Sequence, residues 1–191
     1  MLSPKQSANT SIYQLKVTLQ DTRPPIWRRI QVTGDTTLAR LHLILQAVMG
    51  WEDGHLHQFI IGDVYYGTRE LDFGFGREVQ DELRVKLSQV APDEKTKFIY
   101  EYDFGDSWYH QILVEKISTP EEGMRYPVCI KGKRACPPED VGGVWSYESF
   151  LDIIGDPNHP EREDLLEWAG GEFDPEKFDM EAVNKELRRI R

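Results

Sequence analysis

The sequence predicts an α+β protein: a mainly antiparallel sheet of hairpins, one early helix packed on it, and a C-terminal helical segment. Three observations carry this. Stretches with period-two alternation fill most of the chain before residue 118, one amphipathic stretch of helical period interrupts them early, and residues 146–191 return to helical spacing. Neither a strand–helix–strand alternation nor a glycine-rich phosphate loop occurs, so a doubly wound parallel sheet is not expected.

Residues 1–11 read as a disordered polar leader and 12–191 as a single α+β domain, with a sheet-rich part over 12–117, a Pro/Gly-rich loop over 118–145 and a helical part over 146–191. From Ile12 to Leu19, Leu15, Val17 and Leu19 face one way while Gln14, Lys16 and Thr18 face the other, as in a half-buried strand. Pro24-Pro25 breaks the run. Alternation resumes from Ile26 to Val32, with Ile26, Arg28, Ile30 and Val32 opposed to Trp27, Arg29 and Gln31. Over Thr37–Met49 the period changes, and Leu38, Leu41, Ile44, Leu45, Val48 and Met49 share a helical face. Asp35 or Thr36 is suited to cap it, and Gly50 to stop it in the left-handed conformation.

Leu56–Ile61 and Val64–Tyr66 flank Gly62-Asp63 as a hairpin. Residues 67–82 read as a loop, and Leu83, Val85 and Leu87 as a further strand. Phe98–Phe104 and Trp108–Ile117 form a hairpin around Gly105-Asp106-Ser107, with Gly105 expected to supply an unusual φ. After the 118–145 loop, Ser146 caps a helix bearing Tyr147, Phe150, Leu151 and Ile154. Pro160 opens a second helix, and Asp179 caps a last one carrying Val183, Leu187 and Ile190.

The composition bounds the function. With 191 residues, 39% hydrophobic and 11% aromatic, the chain can build a core and is not disordered. No apolar run is long enough for a membrane span. The polar N-terminus lacks an apolar signal region, and two cysteines exclude a disulfide framework, so a reducing, cytoplasmic setting is expected. Twenty-three basic against 33 acidic residues give a net charge of −10, which excludes a protein coated by nucleic acid over its whole surface but leaves room for a local basic site.

Four constellations can carry chemistry. His55-Leu56-His57 on a strand places two imidazoles on one face, where they can share a divalent metal such as zinc, with Glu52 or Asp53 nearby in sequence; ordinary hydrogen bonding in the sheet is the alternative. Around the YDFGDSWYH hairpin, Asp103, Asp106 and His110 can add ligands to that pair or form an acid/base set, whereas turn capping and packing by Trp108 account for them structurally. In CIKGKRACPPEDVGGVW, Cys129 and Cys136 lack zinc-knuckle spacing and read as buried thiols. The stiff loop between them and Trp145 presents Glu139 and Asp140, and Arg125, Lys131, Lys133 and Arg134 form a basic patch suited to phosphate. Finally, Trp27 with Arg28 and Arg29 can stack on bases or a partner, although strand geometry sends the two arginines to opposite faces.

The segments LKVTLQDTRPPIWRRIQV, LARLHLILQAVMGWEDGHLHQF, YEYDFGDSWYHQILVE, YPVCIKGKRACPPEDVGGVWSYESFL and DPNHPEREDLLEWAGGEFDPEKFD, in that order, resemble the plasmid pRiA4b open-reading-frame-three-like family over nearly the whole chain. Members of that family are often labelled as passengers of mobile elements and carry no established reaction. The resemblance singles out Trp27, Arg28, Arg29, His55, His57, Asp103, Gly105, Asp106, Trp108, His110, Cys129, Cys136, Pro137, Pro138, Glu139, Asp140, Gly142 and Gly143. Many relatives have a further cysteine at Val141, a departure that counts against a thiol metal site here.

The leading reading is an uncharacterised, non-enzymatic interaction module with a protein or nucleic-acid partner, linked to mobile elements through the resemblance. The rival is a metal-dependent hydrolase or nuclease in which His55, His57 and His110, with Asp103 or Asp106, hold a metal that activates water and Glu139 or Asp140 is the base. A purely structural domain with its histidines in the core is the third. The apolar faces of the C-terminal helices can pack inward or against a second chain, so the oligomeric state stays open.

Overall fold

The structure, a computed structural model, describes residues 11–68 and 78–190; most of the predicted leader, residues 69–77 of the predicted loop and Arg191 lie outside the described residues. In chain order the elements are β1 (Ile12–Leu19), β2 (Trp27–Thr33), α1 (Leu38–Met49), β3 (His57–Ile61), β4 (Val64–Gly67), β5 (Val79–Asp81), α2 (Leu87–Val90), β6 (Lys97–Tyr102), β7 (Trp108–Ser118), β8 (Val128–Lys133), α3 (Gly143–Gly155), α4 (Arg162–Trp168) and α5 (Met180–Leu187). The strands form one sheet of order β5-β4-β3-β6-β7-β1-β2-β8. Every pairing is antiparallel except β4 with β5. This is the expected α+β architecture.

The predicted parity of β1 and β2 holds residue by residue. Leu15, Val17, Leu19, Ile30 and Val32 are buried in one core with the apolar faces of α1, α3 and α5. The opposite face of β6, β7, β1, β2 and β8 is mostly half-buried or exposed, with Ile12 and Glu101 as buried exceptions. Alternation sorts side chains between a helix-covered side and an open side.

Several boundaries differ from the sequence expectation, each for a physical reason. Thr37, not Asp35 or Thr36, caps α1 by accepting from the Arg40 amide. Leu83, Val85 and Leu87 do not form a strand. They belong to a turn and the short α2, because Leu87 alone enters the core and Leu83 stays in solvent. The 67–82 loop contains β5, and the 118–145 loop contains β8, whose pairing with β2 completes the sheet edge. Ser146 is not the cap of α3. The helix starts at Gly143 behind Gly142, and a Cβ at Gly143 (φ +79°) would lie 2.8 Å from the Asp106 carbonyl oxygen. Pro160 lies two residues before α4. Gly105 takes no left-handed φ; Asp103 (+56°) and Ser107 (+55°) do.

Arg28 is the one cation on the inward face of β2 and is 2% exposed. Its Nε donates to the Val48 carbonyl at the end of α1 (2.7 Å), and Nη1 donates to the carbonyls of Trp27 and Lys133 (3.0 Å each). The guanidinium lies 4.2 Å over the Phe178 ring. It thus ties α1, β2 and β8 together where helix carbonyls lack intrahelical partners. Burial pushes its pKa down, opposed by the two nearby thiols. Arg28→Leu strands three carbonyls, and we expect about 2–4 kcal/mol lower stability, read as a lower urea midpoint at unchanged slope.

Candidate functional site

The site begins where α1 ends. Gly50 (φ +90°) turns the chain into the segment before β3, and that segment meets the Pro/Gly-rich loop. The Trp51 indole stacks on Tyr102 at 5.0 Å, and its Nε1 donates to the Pro137 carbonyl (3.0 Å). The Tyr102 hydroxyl donates to Glu139 Oε1 (2.6 Å), which also accepts from the Glu52 amide (3.2 Å). Burial, then the Glu139 carboxylate, push the Tyr102 phenol upward, so it remains a donor. Asp106 Oδ2 accepts from the Gly142 amide (3.0 Å). These bonds clasp residues 137–142 onto the β6–β7 turn and the approach to β3.

His55 lies inside this clasp. Its Nδ1 is 3.6 Å from Asp103 Oδ2 and its Nε2 is 3.1 Å from Asp140 Oδ1. One ligand atom from each of His55, Asp103 and Asp140 can be chosen so that all lie within 4.8 Å of one another. Asp103 is held by its own turn, with Oδ1 accepting from the amides of Gly105 and Asp106.

The predicted ligand set is otherwise divided. His55 precedes β3, so the rule that residues two apart on a strand share a face does not reach it. His57, the first residue of β3, points inward. It stacks on His42 with ring centroids 3.4 Å apart and planes 2° apart, and its Nε2 meets both oxygens of Glu82 (2.9 and 3.1 Å). His42 Nε2 meets Asp53 Oδ1 (2.7 Å), and its Nδ1 meets the Tyr100 hydroxyl (2.7 Å), which accepts from Gln46 Nε2 (2.9 Å). His110 is fully buried, with Nδ1 at 3.0 Å from the Trp108 carbonyl and 3.3 Å from that of Tyr100. Asp106 holds Gly142 and lies in neither group.

The predicted binding residues separate too. Arg28 and Trp108 are in the core, and Arg134 is buried in an ion pair with Glu176. Arg134 therefore leaves the expected basic patch, since it lies just past β8 in a left-handed bend (φ +71°) and is buried, while Lys131 and Lys133 on the strand face out. Glu139 is a strut of the clasp. Trp27, Arg29, Lys131 and Lys133 all lie on the open side of the sheet, where a transverse row runs Lys97, Leu113, Lys16, Arg29, Lys131 across β6, β7, β1, β2 and β8. The next row carries Trp27 opposite Lys133. Lys16 and Arg29 lie 5.5 and 5.3 Å over the Trp27 ring. Arg29 also forms a two-pronged bond to Glu115 (2.6 and 2.8 Å). Cys129 and Cys136 are free thiols, and burial pushes Cys136 up to about 12.

Sequence reasoning missed His42, Gln46 and Glu82, and named Asp53 only as a neighbour of the His55/His57 pair. The signal was present in α1, where His42 and Gln46 stand four apart inside the apolar stripe and are buried. Lys97 and Lys16 were also missed, because only strand register reveals the row.

Burial lowers the pKa of His110 from 6.5 to about 4. The unfolded chain takes up this proton between those values and the native protein does not. Stability is therefore complete above pH 6.5 and falls as pH drops towards 4, by roughly 1.4 kcal/mol per pH unit from this group. Urea melts across that window should show His110→Phe with a slope shallower by about one proton; an unchanged slope counts against the assignment.

The profile of the plasmid pRiA4b ORF-3-like protein matches residues 11–182. The uncharacterized protein y4hQ of Sinorhizobium fredii (strain NGR234) is 39% identical over 177 residues, covering 92% of this chain and 90% of that protein. The crystal structure of MM3350, a protein of unknown function from Methanosarcina mazei Go1, matches with a TM-score of 0.82 at 39% identity, covering 93% of this chain and 99% of the other. With its profile matched from the first strand into the last helix, the chain belongs to the plasmid pRiA4b ORF-3-like family.

Proposed function

We propose that the protein is an interaction module that binds single-stranded nucleic acid on the open face of its sheet. The observation that carries this reading is the transverse row Lys97, Lys16, Arg29 and Lys131, with Lys133 and Trp27 beside it. Five cations gather there in a chain of net charge −10. Adjacent strands are roughly 4.8 Å apart, so the row spans about 19 Å, enough for several phosphates of an extended strand. Among the described residues Glu115 is the one acid ion-paired within the row, and it offsets Arg29 only. A flat basic face with an aromatic ring suits an unpaired strand, whose bases can stack while the backbone follows the charges. The face excludes no base, so weak sequence preference is expected.

Anisotropy of a short labelled oligothymidine tests this. The expected plot of log affinity against log salt has a slope of roughly −3 for four phosphate contacts. Lys16→Glu/Lys131→Glu should abolish binding with the melting temperature unchanged. Retained binding in that variant, or equal affinity for polyglutamate, sinks the reading.

A second reading, a metal-dependent hydrolase, is favoured by the meeting of His55, Asp103 and Asp140 from three distant segments. Imidazole and carboxylate donors suit zinc or manganese, which would activate water there. Its test is metal content: wild type should hold a divalent ion that His55→Ala loses, and an ion-free wild type removes it.

A further inference from the structure

We propose that the apolar groove between α3 and α4 is an acyl subsite. It takes the short alkyl or aryl chain of a small acyl compound whose carbonyl oxygen reaches an ion held by His55, Asp103 and Asp140. The inference rests on the hydrolase reading and extends it to a substrate class; it does not involve the open face of the sheet.

The groove follows from how the helical part is tied down. Arg162 Nε, at the first residue of α4, donates to the Ile154 carbonyl near the end of α3 (2.9 Å). Phe150 and Trp168 meet edge to face, with centroids 6.1 Å apart and planes at 73°, and Phe173 backs Phe150 at 5.3 Å. The space left open has a volume of about 390 Å³, and Val141, Phe150, Ile153, Leu165 and Trp168 line it together with Asp140. Phe150 is 3% exposed and forms the floor, whereas Trp168 is 49% exposed, a large ring half in solvent. Ser149 also lines the groove, but its hydroxyl is spent on the Trp145 carbonyl (3.2 Å) and adds little polarity. A concavity of this size, mostly apolar with few polar groups, is the usual form of a small-ligand site.

Asp140 joins the groove to the polar group. It lines the groove, and its Oδ1 is 3.1 Å from His55 Nε2. The backbone is left-handed at Asp140 (φ +59°), inside the clasped segment, so consecutive residues serve two regions: Asp140 the ion and Val141 the groove. Three protein donors on zinc leave a position open, and a chain lying in the groove ends one carboxylate side chain away from it. Without an ion, Asp103 and Asp140 would repel an anionic or oxygen-rich head. With one, a carbonyl oxygen is the complementary group, and the apolar contacts supply binding energy that holds it there. In hydrolysis the water oxygen joins the acyl carbon and the bond from that carbon to its oxygen or nitrogen leaving group breaks. One water proton goes to the leaving group and the other to solvent, leaving a carboxylate.

The probes are alkyl hydroxamates from acetyl to octanoyl, titrated calorimetrically into the full chain with zinc added. The hydroxamate oxygens ligate the ion, and chain length reports on the groove alone. Affinity should rise about fourfold per added methylene until the groove is filled. Trp168→Ala and Ile153→Ser should keep the affinity for acetohydroxamate and flatten the dependence on chain length, whereas His55→Ala should lose the whole series. Equal affinity for short and long chains with zinc held overturns the subsite and leaves the hydrolase reading standing. If wild type holds no ion and binds no acetohydroxamate, the hydrolase reading falls and the subsite with it. An undiminished chain-length gain in both variants also overturns the subsite. So does a concentration-dependent dimer that Trp168→Ala disperses, with no chain-length gain, since the groove then belongs to a second copy of the chain.

Discussion

In a sheet with helices on one side only, strand parity decides whether a side chain meets water or core. β1 and β2 set this constraint for the whole protein, because β1 lies between β2 and β7 and β2 carries β8. Their alternation sends Leu15, Val17, Ile30 and Val32 inward and Lys16, Trp27 and Arg29 outward. A slip of one residue would exchange the two sets and bury the cations. The bulges at Gln14/Leu15 and Arg29/Ile30 adjust the register on β7 and β8 without reversing these faces.

The inward side is not wholly apolar. Arg28, His42, Gln46, His57, Glu82 and His110 are all buried there. Each buried polar group needs partners, and most of the partners come from other elements. Arg28 meets three backbone carbonyls, His42 and Gln46 share the Tyr100 hydroxyl, and His57 meets Glu82. His110 Nε2 is the exception, buried with no hydrogen-bond partner among the described residues. These contacts lock α1 to the sheet at defined positions, which apolar packing alone does less specifically.

The surface group around His55 has another origin. It depends on the clasp of residues 137–142, in which Trp51, Tyr102, Glu139 and Asp106 each bond across long sequence separations. Rigid prolines and two left-handed glycines shape that loop, and the sheet supplies the fixed ground it is fastened to. Groups placed on such a loop take their positions from the scaffold to which it is fastened.

Taken alone, the sequence determined the fold class, the parity of β1 and β2, the apolar face of α1 and the stop at Gly50. These follow from periodicity and local backbone preference, which act over a few residues. The meeting of His55 with Asp103 and Asp140 was legible as a convergence of quoted segments, although the sharing of a metal by His55 and His57 was inferred from a strand that starts two residues too late for it. Only the tertiary structure decided that β8 rises out of the long loop, that Arg134 turns inward to Glu176, that Lys97 joins Lys16 in one row, and that His42 and His57 stack. Each of these depends on strand register or on packing between elements far apart in the chain. Such pairings depend on the summed burial of the whole core, and no local pattern encodes that sum.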